Sequence, residues 1–425
     1  MSLINYIFKN QWLPADKLQE IQNKRLKKLI NYAYNNVPYY QRLFKENDIM
    51  PNDINSSYDL KKIPITTKSD IQKLSLDQII SKNIRIKNCN VQRTSGSTGK
   101  PLNIYLSKRD EIFRSLIDFR SYLSMGCRIF DKLVLIRTPA LKLIKVEVED
   151  KLTYIFKRTI SGYIPLKRQI DLLKEFNPHI IWAFPNNLKL IARFISEKEE
   201  IYLKPKIIFS SGEILNNRTR NFLERVFNAE VYDFYTSTEF STIALECKKH
   251  DGYHINFDSV IVEITKDGKK LNNGEEGEII CTNLINYTMP LIRYNLEDIG
   301  VISEKLCECG RSFPLLKKII GRCDDMLILR NGTNLHNNVF SVNFYNNIPG
   351  LFQFKLIQED FEKFKLFYSP KGIINNDLKI QIQNNFQKHI NNVQIDFIGV
   401  DNIPKDKSGK FRKFISLIPE KDKKS

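Results

Sequence analysis

The amino-acid sequence predicts an α/β protein of two unequal domains: a large N-terminal domain with mainly parallel sheets plus a β-rich subdomain, and a small α+β C-terminal domain. Three observations predict it. The chain has 425 residues, and single hydrophobic cores stop growing beyond roughly 250 to 300 residues. After Arg93 short apolar runs alternate with amphipathic helical stretches, the rhythm of a parallel sheet covered by helices. From Tyr253 to Ser303 that rhythm gives way to strands separated by turn signals.

Helices open the chain. From Ala15 to Asn35, Leu18, Ile21, Leu26, Leu29, Ile30 and Tyr34 recur at three-to-four spacing. Strands are expected at Lys132 to Arg137, His179 to Phe184, Lys206 to Ser210 and Glu230 to Phe234, with helices at Leu166 to Phe176, Leu188 to Glu199 and Asn216 to Phe227. Lys266-Asp267-Gly268 and Asn272-Asn273-Gly274 favour hairpins in the β-rich part. Beyond Asp325 the expected order is a strand from Met326 to Arg330, a turn at Asn331-Gly332, a helix from Asn334 to Asn346, strands near Phe352 to Gln358 and Phe364 to Tyr368, a helix from Asn376 to Asn391 and a strand from Gln394 to Val400. About a hundred residues in that order form an independent domain.

Composition narrows the class. With 42% hydrophobic and 11% aromatic residues the chain packs a core and is too apolar to be disordered. No segment approaches the ~20 apolar residues that span a bilayer, and Met1 to Trp12 lacks a cationic start before an apolar run, so a cytoplasmic protein is expected. Seven cysteines without such a leader argue against a disulfide framework and leave free thiols or a metal site. The net charge of +18 would suit a polyanion partner, but the basic residues are scattered and accompany abundant Asn and Ile, as in a general compositional bias.

Chemistry concentrates in a few segments. Arg93 to Pro101 reads RTSGSTGKP, two glycines, four hydroxyl residues and a lysine in nine positions. Glycines let backbone amides approach phosphate oxygens, hydroxyls add donors, and Lys100 adds charge. The GxxxxGK[ST] pattern does not fit, because Thr94 stands where its first glycine would be and Pro101 follows the lysine. Further along come Ser211-Gly212-Glu213, Tyr235-Thr236-Ser237-Thr238-Glu239, Arg293-Tyr294-Asn295-Leu296-Glu297-Asp298, Gly321-Arg322-Cys323-Asp324-Asp325 and Pro404 to Lys410, which reads PKDKSGK.

Together these segments resemble, in order, the motifs of the adenylate-forming superfamily, and the Lys-Pro order of the loop points to its branch of phenylacetate-CoA ligase, coenzyme F390 synthetase and CapK-like proteins. The resemblance implies ATP, Mg²⁺ and an acid as ligands and coenzyme A as the default acceptor. It places the triphosphate on Thr94, Ser95, Gly96, Ser97, Thr98, Gly99 and Lys100. Adenine falls to Ser211, Gly212 and Glu213 with Tyr235 stacking on it, and the α-phosphate to Thr238, beside Thr236. Glu239 would help hold Mg²⁺, Asp298 would bind the ribose hydroxyls, and Arg322 would reach the ribose or phosphate. Asp324 would be the hinge between an adenylation domain, 1–323, with its β-rich subdomain at about 247–320, and a mobile C-terminal lid, 324–425. Lys410 would enter the site for adenylation only. Two departures stand out: Thr236 and Glu297 replace family glycines. Trp182, Phe184, Pro185, Phe209 and Tyr235 fall where the resemblance places the acyl pocket, which suits an aromatic or apolar acid, although such aromatics also serve as core. Members of the branch are often homodimers.

Cys307-Glu308-Cys309-Gly310-Arg311 is a tight thiol pair, with Cys247, His250 and His254 in a turn-rich stretch upstream. Cys247, His254, Cys307 and Cys309 make a Cys₃His set for structural Zn²⁺, with His250 as rival because Cys247-x-x-His250 is also knuckle-like spacing. Alternatives to acyl transfer onto coenzyme A are an adenylyltransferase, another acceptor in polysaccharide or capsule biosynthesis, and a retired scaffold that binds polyanions through its charge.

Overall fold

The apolar runs from Leu133 onward form parallel strands. Lys157–Ser161, Leu133–Arg137, Ile180–Ala183, Ile207–Ser211 and Glu230–Ser237 lie side by side in that order, each parallel to its neighbour. Their period-two alternation divides two cores. Val134, Ile181, Ile208 and Val231 face the helices Leu166–Phe176, Pro185–Glu197 and Asn217–Phe227, meeting Leu173, Ile191, Leu223 and Phe227. The intervening residues Leu133, Ile207, Phe209, Tyr232 and Phe234 form an aromatic-rich cluster that receives Tyr122 of helix Lys108–Ser124.

The structure, a computed structural model, describes residues 8–94, 101–137, 148–150, 157–198, 203–322, 326–330, 334–336, 348, 351–388, 390, 392–403 and 413–418. They divide into two compact units, 1–319 and 320–425. The expected β-rich part is not a separate sheet. Ser241–Glu246, Tyr253–Ile255, Leu315–Arg322, Tyr294–Ile302, Glu276–Asn283, Val260–Lys266 and Lys269–Lys270 continue the parallel strands into one mixed sheet of thirteen, closed at the far edge by Val148–Asp150. The parallel character is thus confined to five strands.

Helices Ala15–Asn36 and Pro38–Glu46 cover this antiparallel part, sharing a core with Ile279, Leu291 and Tyr294. The Tyr40 hydroxyl donates to the Pro290 carbonyl at 3.1 Å and accepts from the Ile292 N–H at 2.9 Å. Thr66 exchanges backbone bonds of 2.9 Å with Arg293 and Asn295. The Arg293 guanidinium is buried, 3.2 Å from Glu263 Oε2 and 2.7 Å from the Ile63 carbonyl. Residues 290 to 295 are therefore held from both sides.

In the unit 320–425 a four-stranded sheet runs Gln394–Gly399, Lys363–Ser369, Gln353–Gln358, Phe414–Ser416. Helix Asn376–Gln387 packs Ile382 and Phe386 on Leu356, Phe364 and Leu366. One expectation is corrected: Asn334–His336 is a strand, antiparallel to Met326–Ile328, with Ile328 opposite Asn334. Asn331-Gly332 in the sequence is a hairpin signal where a simple turn before a helix was expected, and residues 337–347 lie outside the described residues. Among the described residues no helix is long and apolar enough to cross a membrane.

A buried acid sits beneath the sheet's centre. Asp233 accepts from Tyr253 Oη at 2.9 Å, and its own N–H donates to Glu246 Oε2 at 2.8 Å, while Arg220 holds Glu246 in a two-bond clamp. Burial, then the charge of Glu246, pushes the Asp233 carboxyl up to about 7. Its folded value lies above the unfolded one of about 4, so its contribution to stability is full below pH 4 and is lost as pH rises through 7, with a slope of at most about 1.4 kcal/mol per pH unit. Asp233→Asn should flatten that decline; urea midpoints at pH 5 and pH 8 check it, and an unchanged pH dependence would contradict it.

Candidate functional site

In open α/β sheets ligands bind outside the carboxyl ends of the strands. Because Ile207–Ser211 and Glu230–Ser237 are parallel neighbours with Ser211 opposite Phe234, Ser211, Gly212 and Glu213 emerge at the same edge as Tyr235, Thr236, Thr238 and Glu239. Gly212 turns at φ +77°, a conformation open to glycine without strain. The Ser211 hydroxyl accepts from Trp182 Nε1 at 2.8 Å, and the Glu213 carboxylate accepts from the Asn186 N–H at 3.1 Å. Glu213 thereby caps helix Pro185–Glu197, where its charge complements the helix dipole.

Asp298 reaches this edge through a bulge. Glu278 pairs with Ile299 but Ile280 pairs with Asn295, so one residue, Ile279, faces three, Leu296 to Asp298. Such a bulge re-aims a side chain. Glu297, where the resembled motif has glycine, sits at φ +62°, and its N–H donates to Asn295 Oδ1 at 2.7 Å. The bulge delivers Asp298 to Tyr235, whose hydroxyl donates to Asp298 Oδ2 at 2.6 Å across 63 positions of sequence. A second tyrosine answers in reverse, Tyr294 Oη lying 3.4 Å from Glu239 Oε1. Each motif thus lends a tyrosine to the other's carboxylate. The strand itself is irregular between Tyr235 and Thr236, where Thr236 replaces glycine.

Helix Lys108–Ser124 supplies residues that motif reading missed. Arg114 is buried and its guanidinium donates to the carbonyls of Thr238, at 3.0 Å, and Glu239, and to Gln92 Oε1 at 3.2 Å. Burial pulls the Arg114 guanidinium down to about 10, opposed by Asp118 and Asp110. Asp118 accepts from Thr242 Oγ1 at 2.7 Å and Ser241 Oγ at 3.2 Å; burial raises its carboxyl despite these bonds. Asp110 accepts from the Tyr287 N–H at 3.1 Å. The signal was present as Asp110-x-x-x-Arg114-x-x-x-Asp118, alternating charges on one helix face, and reads equally as a solvated ladder.

At the glycine-rich loop, Thr94 closes the neck, its N–H donating to the Leu102 carbonyl at 2.9 Å and its Oγ1 accepting from the Leu102 N–H at 2.8 Å. Ser95, Gly96, Ser97, Thr98, Gly99 and Lys100 lie outside the described residues, as do Asp324 and Lys410. Arg322 ends strand Leu315–Arg322. Among the expected acyl-pocket residues, Phe209 is fully buried and packs on Tyr122, Trp182 and Phe234; it is core.

A second constellation forms where Ser241–Glu246 ends. The ligand atoms of Cys247, His254, Cys307 and Cys309 all lie within 4.8 Å of one another. Cys247 and Cys307 sulfurs are 3.6 Å apart, and Cys309 Sγ is 3.3 Å from His254 Nε2. His254 Nδ1 is 3.2 Å from the Phe313 carbonyl, which fixes a proton there and leaves Nε2 turned to the thiols. Backbone N–H groups of Lys249 and Cys309 point at the Cys247 and Cys307 sulfurs at 3.4 and 3.5 Å. Burial holds His254 down at about 4 and raises Cys247 to about 12. At Cys309 burial acts upward, but bonds from the Arg311 backbone, Cys307 and Cys247 leave the thiol below its ordinary value. Gly252, at φ +127°, lies where a Cβ would stand 2.9 Å from the Leu316 carbonyl, so glycine lets the strand that carries His254 close on Leu315–Arg322. His250 is elsewhere: it bonds Glu246 at 3.2 Å and Arg220 at 3.1 Å and stacks on Tyr232.

No family model matches the chain. Over 344 residues it is 28% identical to the phenylacetate-coenzyme A ligase of Thermus thermophilus, covering 76% of this chain and 74% of that one. Over 429 residues it is 26% identical to Protein CapK of Staphylococcus aureus, covering 95% and 90%. The solved structure of a 2-hydroxyisobutyryl-CoA ligase with 2-HIB-AMP in the postadenylation state aligns with a TM-score of 0.80 at 19% identity, covering 98% and 92%. An anthranilate CoA ligase with anthranoyl-AMP aligns at 0.56 and 14% identity, covering 80% and 69%. The chain is similar to phenylacetate-CoA ligases and CapK, and its fold is that of the adenylate-forming CoA ligases.

The left-handed backbone at Glu297 should cost about 1–2 kcal/mol for any residue with a Cβ, most for a β-branched one. Both Glu297→Gly and Glu297→Val delete the same side-chain contacts, so the glycine variant should be the more stable by at least about 1 kcal/mol in chemical denaturation. Equal stabilities would remove backbone strain from the account of this bulge.

Proposed function

We propose that this chain, similar to phenylacetate-CoA ligases and CapK and folded as adenylate-forming CoA ligases are, activates a carboxylic acid with ATP as its acyl-AMP and passes the acyl group to coenzyme A. The observation that carries the reading is the contact of Tyr235 with Asp298 at the carboxyl edge of the sheet. It sets an aromatic face, suited to a purine, against a two-oxygen acceptor, suited to vicinal ribose hydroxyls. Thr238 and Glu239 lie on the same turn, where a hydroxyl would meet the α-phosphate.

Glu239 offers the hard oxygen that Mg²⁺ requires, and the Tyr294 hydroxyl at its Oε1 orients it. When bound, Mg²⁺ supplies charge neutralisation on the phosphates. In the first half-reaction an oxygen of the acid forms a bond to the α-phosphorus, the bond to the bridging oxygen breaks, and pyrophosphate leaves. Lys410, placed by its sequence segment, stabilises the charge of that transition state, and rotation of the lid about Asp324 withdraws it. In the second half-reaction the thiol sulfur bonds the acyl carbon, AMP leaves, and the thiol proton passes to solvent. Trp182, Phe184, Pro185 and Tyr235 favour an aromatic or apolar acid. One observation favours a second reading of this half-reaction, transfer to another acceptor: the match to CapK spans 95% of the chain, against 76% for the ligase.

The Cys247, His254, Cys307 and Cys309 set fits Zn²⁺, with three thiols and an imidazole whose second nitrogen is already held. Four protein ligands leave no open position, so zinc would staple strand ends and take no part in the reaction.

A panel of aryl, acyl and amino acids should include one that drives pyrophosphate release with ATP and Mg²⁺ in the wild type and not in Lys410→Ala, with the acceptor then identified from the product. Silence across the panel from folded, ATP-binding protein would favour the retired scaffold, whose mark is polyanion affinity that falls log-linearly with salt. Protein purified without chelator should carry about one zinc per chain, and Cys309→Ser should lose it with a lowered Tm; metal-free protein with every thiol titratable would contradict the zinc assignment.

A further inference from the structure

The bonds of Arg114 join two walls of the proposed nucleotide site. One wall is the turn after strand Glu230–Ser237, whose Thr238 and Glu239 carbonyls accept from Nη1 and Nη2. The other is strand Asn90–Arg93, where Gln92 Oε1 accepts from Nη1 at 3.2 Å, two residues before the Thr94 neck of the glycine-rich loop. Asn283 Nδ2 reinforces the Glu239 carbonyl at 3.4 Å, and Asp118 holds Ser241 and Thr242 just beyond. Among the described residues Arg114 Nε has no hydrogen-bond partner, and its three hydrogen bonds there end on neutral carbonyl oxygens. Asp118, Asp110 and Glu239 offset its buried charge from nearby, so the hydrogen bonds themselves are left to fix neutral carbonyls, a placement that calls for a reason beyond charge pairing.

Fixing the carbonyls of two successive residues fixes the peptide planes on both sides of the Glu239 side chain, and so its aim. A guanidinium donates from two nitrogens held in one rigid plane, which suits acceptors on two segments, whereas an ammonium carries its three donors on a single rotatable atom. We infer that Arg114 is a positioning residue, which aims the cation-binding carboxylate of Glu239 for Mg·ATP by tying its turn to Gln92 on strand Asn90–Arg93. The inference rests on the adenylate-forming reading for the identity of the ligand, and it assigns Arg114 no contact of its own with nucleotide or metal.

Equilibrium binding of ATP, with and without added Mg²⁺ and without any acid, tests it on wild type, Arg114→Met and Arg114→Lys. Losing an outer-shell group costs about 10- to 100-fold in metal affinity. Arg114→Met should therefore lose about tenfold or more of the Mg²⁺-dependent gain in ATP affinity while Mg²⁺-free binding changes little, and Arg114→Lys should fall between. A folded Arg114→Met that keeps the full gain, or weakens both affinities equally as a merely structural residue would, overturns the inference. If that variant does not fold, a folded Arg114→Lys with the wild-type gain overturns it instead. Wild type that binds no ATP sinks this inference together with the proposed function. Wild type that binds Mg·ATP yet activates no acid sinks the adenylation reading, while the comparison of variants still decides the role of Arg114.

Discussion

The crossed pairing of two tyrosines with two carboxylates is the constraint on which the rest of the site depends. Tyr235 and Glu239 leave the last parallel strand, Tyr294 and Asp298 enter from the antiparallel part, and each tyrosine hydroxyl reaches the other segment's acid. Neither segment presents the group alone. The pairing requires the parallel and antiparallel strands to be one sheet, because the continuous ladder through Ser241–Glu246, Tyr253–Ile255 and Leu315–Arg322 fixes their separation. It also requires the three-against-one bulge that turns Asp298 out of the ladder.

The scaffold serves that constraint at a cost in local stability. Arg293 and Glu297 both take left-handed backbone, and the surrounding contacts over-determine them: Thr66 on either side of Tyr294, Tyr40 on the Pro290 and Ile292 backbone, Glu263 and Ile63 on the Arg293 guanidinium. The N-terminal helices are thus part of the site's foundation. On the opposite side, helix Lys108–Ser124 buries Asp110 and Arg114, and sets the half-buried Asp118, against the turns that carry the functional groups. Buried strain and buried charge are common where geometry must be held rather than merely filled.

How much was legible follows from the kind of signal. Parallel strands and their helices announce themselves by period, so Leu166–Phe176 and the run through Ile207–Ser211 were read closely. The motif residues Tyr235, Glu239 and Asp298 stand out because their chemistry is dense and ordered. Arg114 and Asp118 did not, since alternating charges at i, i+4 describe a solvated helix face as well as a buried one. Spacing admitted both His250 and His254 beside the cysteines; only the fold shows His250 committed to Glu246 and Tyr232. Asn334–His336 was misread because a hairpin signal and a helix start share Asn-Gly punctuation. Phe209, an aromatic near the edge, proved to be interior.

The central claim is that Tyr235 and Asp298 form one receptor for an adenosine, with the acid reading the ribose. The most direct measurement compares the affinities of ATP and 2′,3′-dideoxy-ATP for wild type and Asp298→Ala. The account predicts a preference for ATP in the wild type of about tenfold or more, the worth of a charged hydrogen-bond acceptor, and its disappearance in the variant. Equal affinities in the wild type, or a preference that survives in Asp298→Ala, would contradict it.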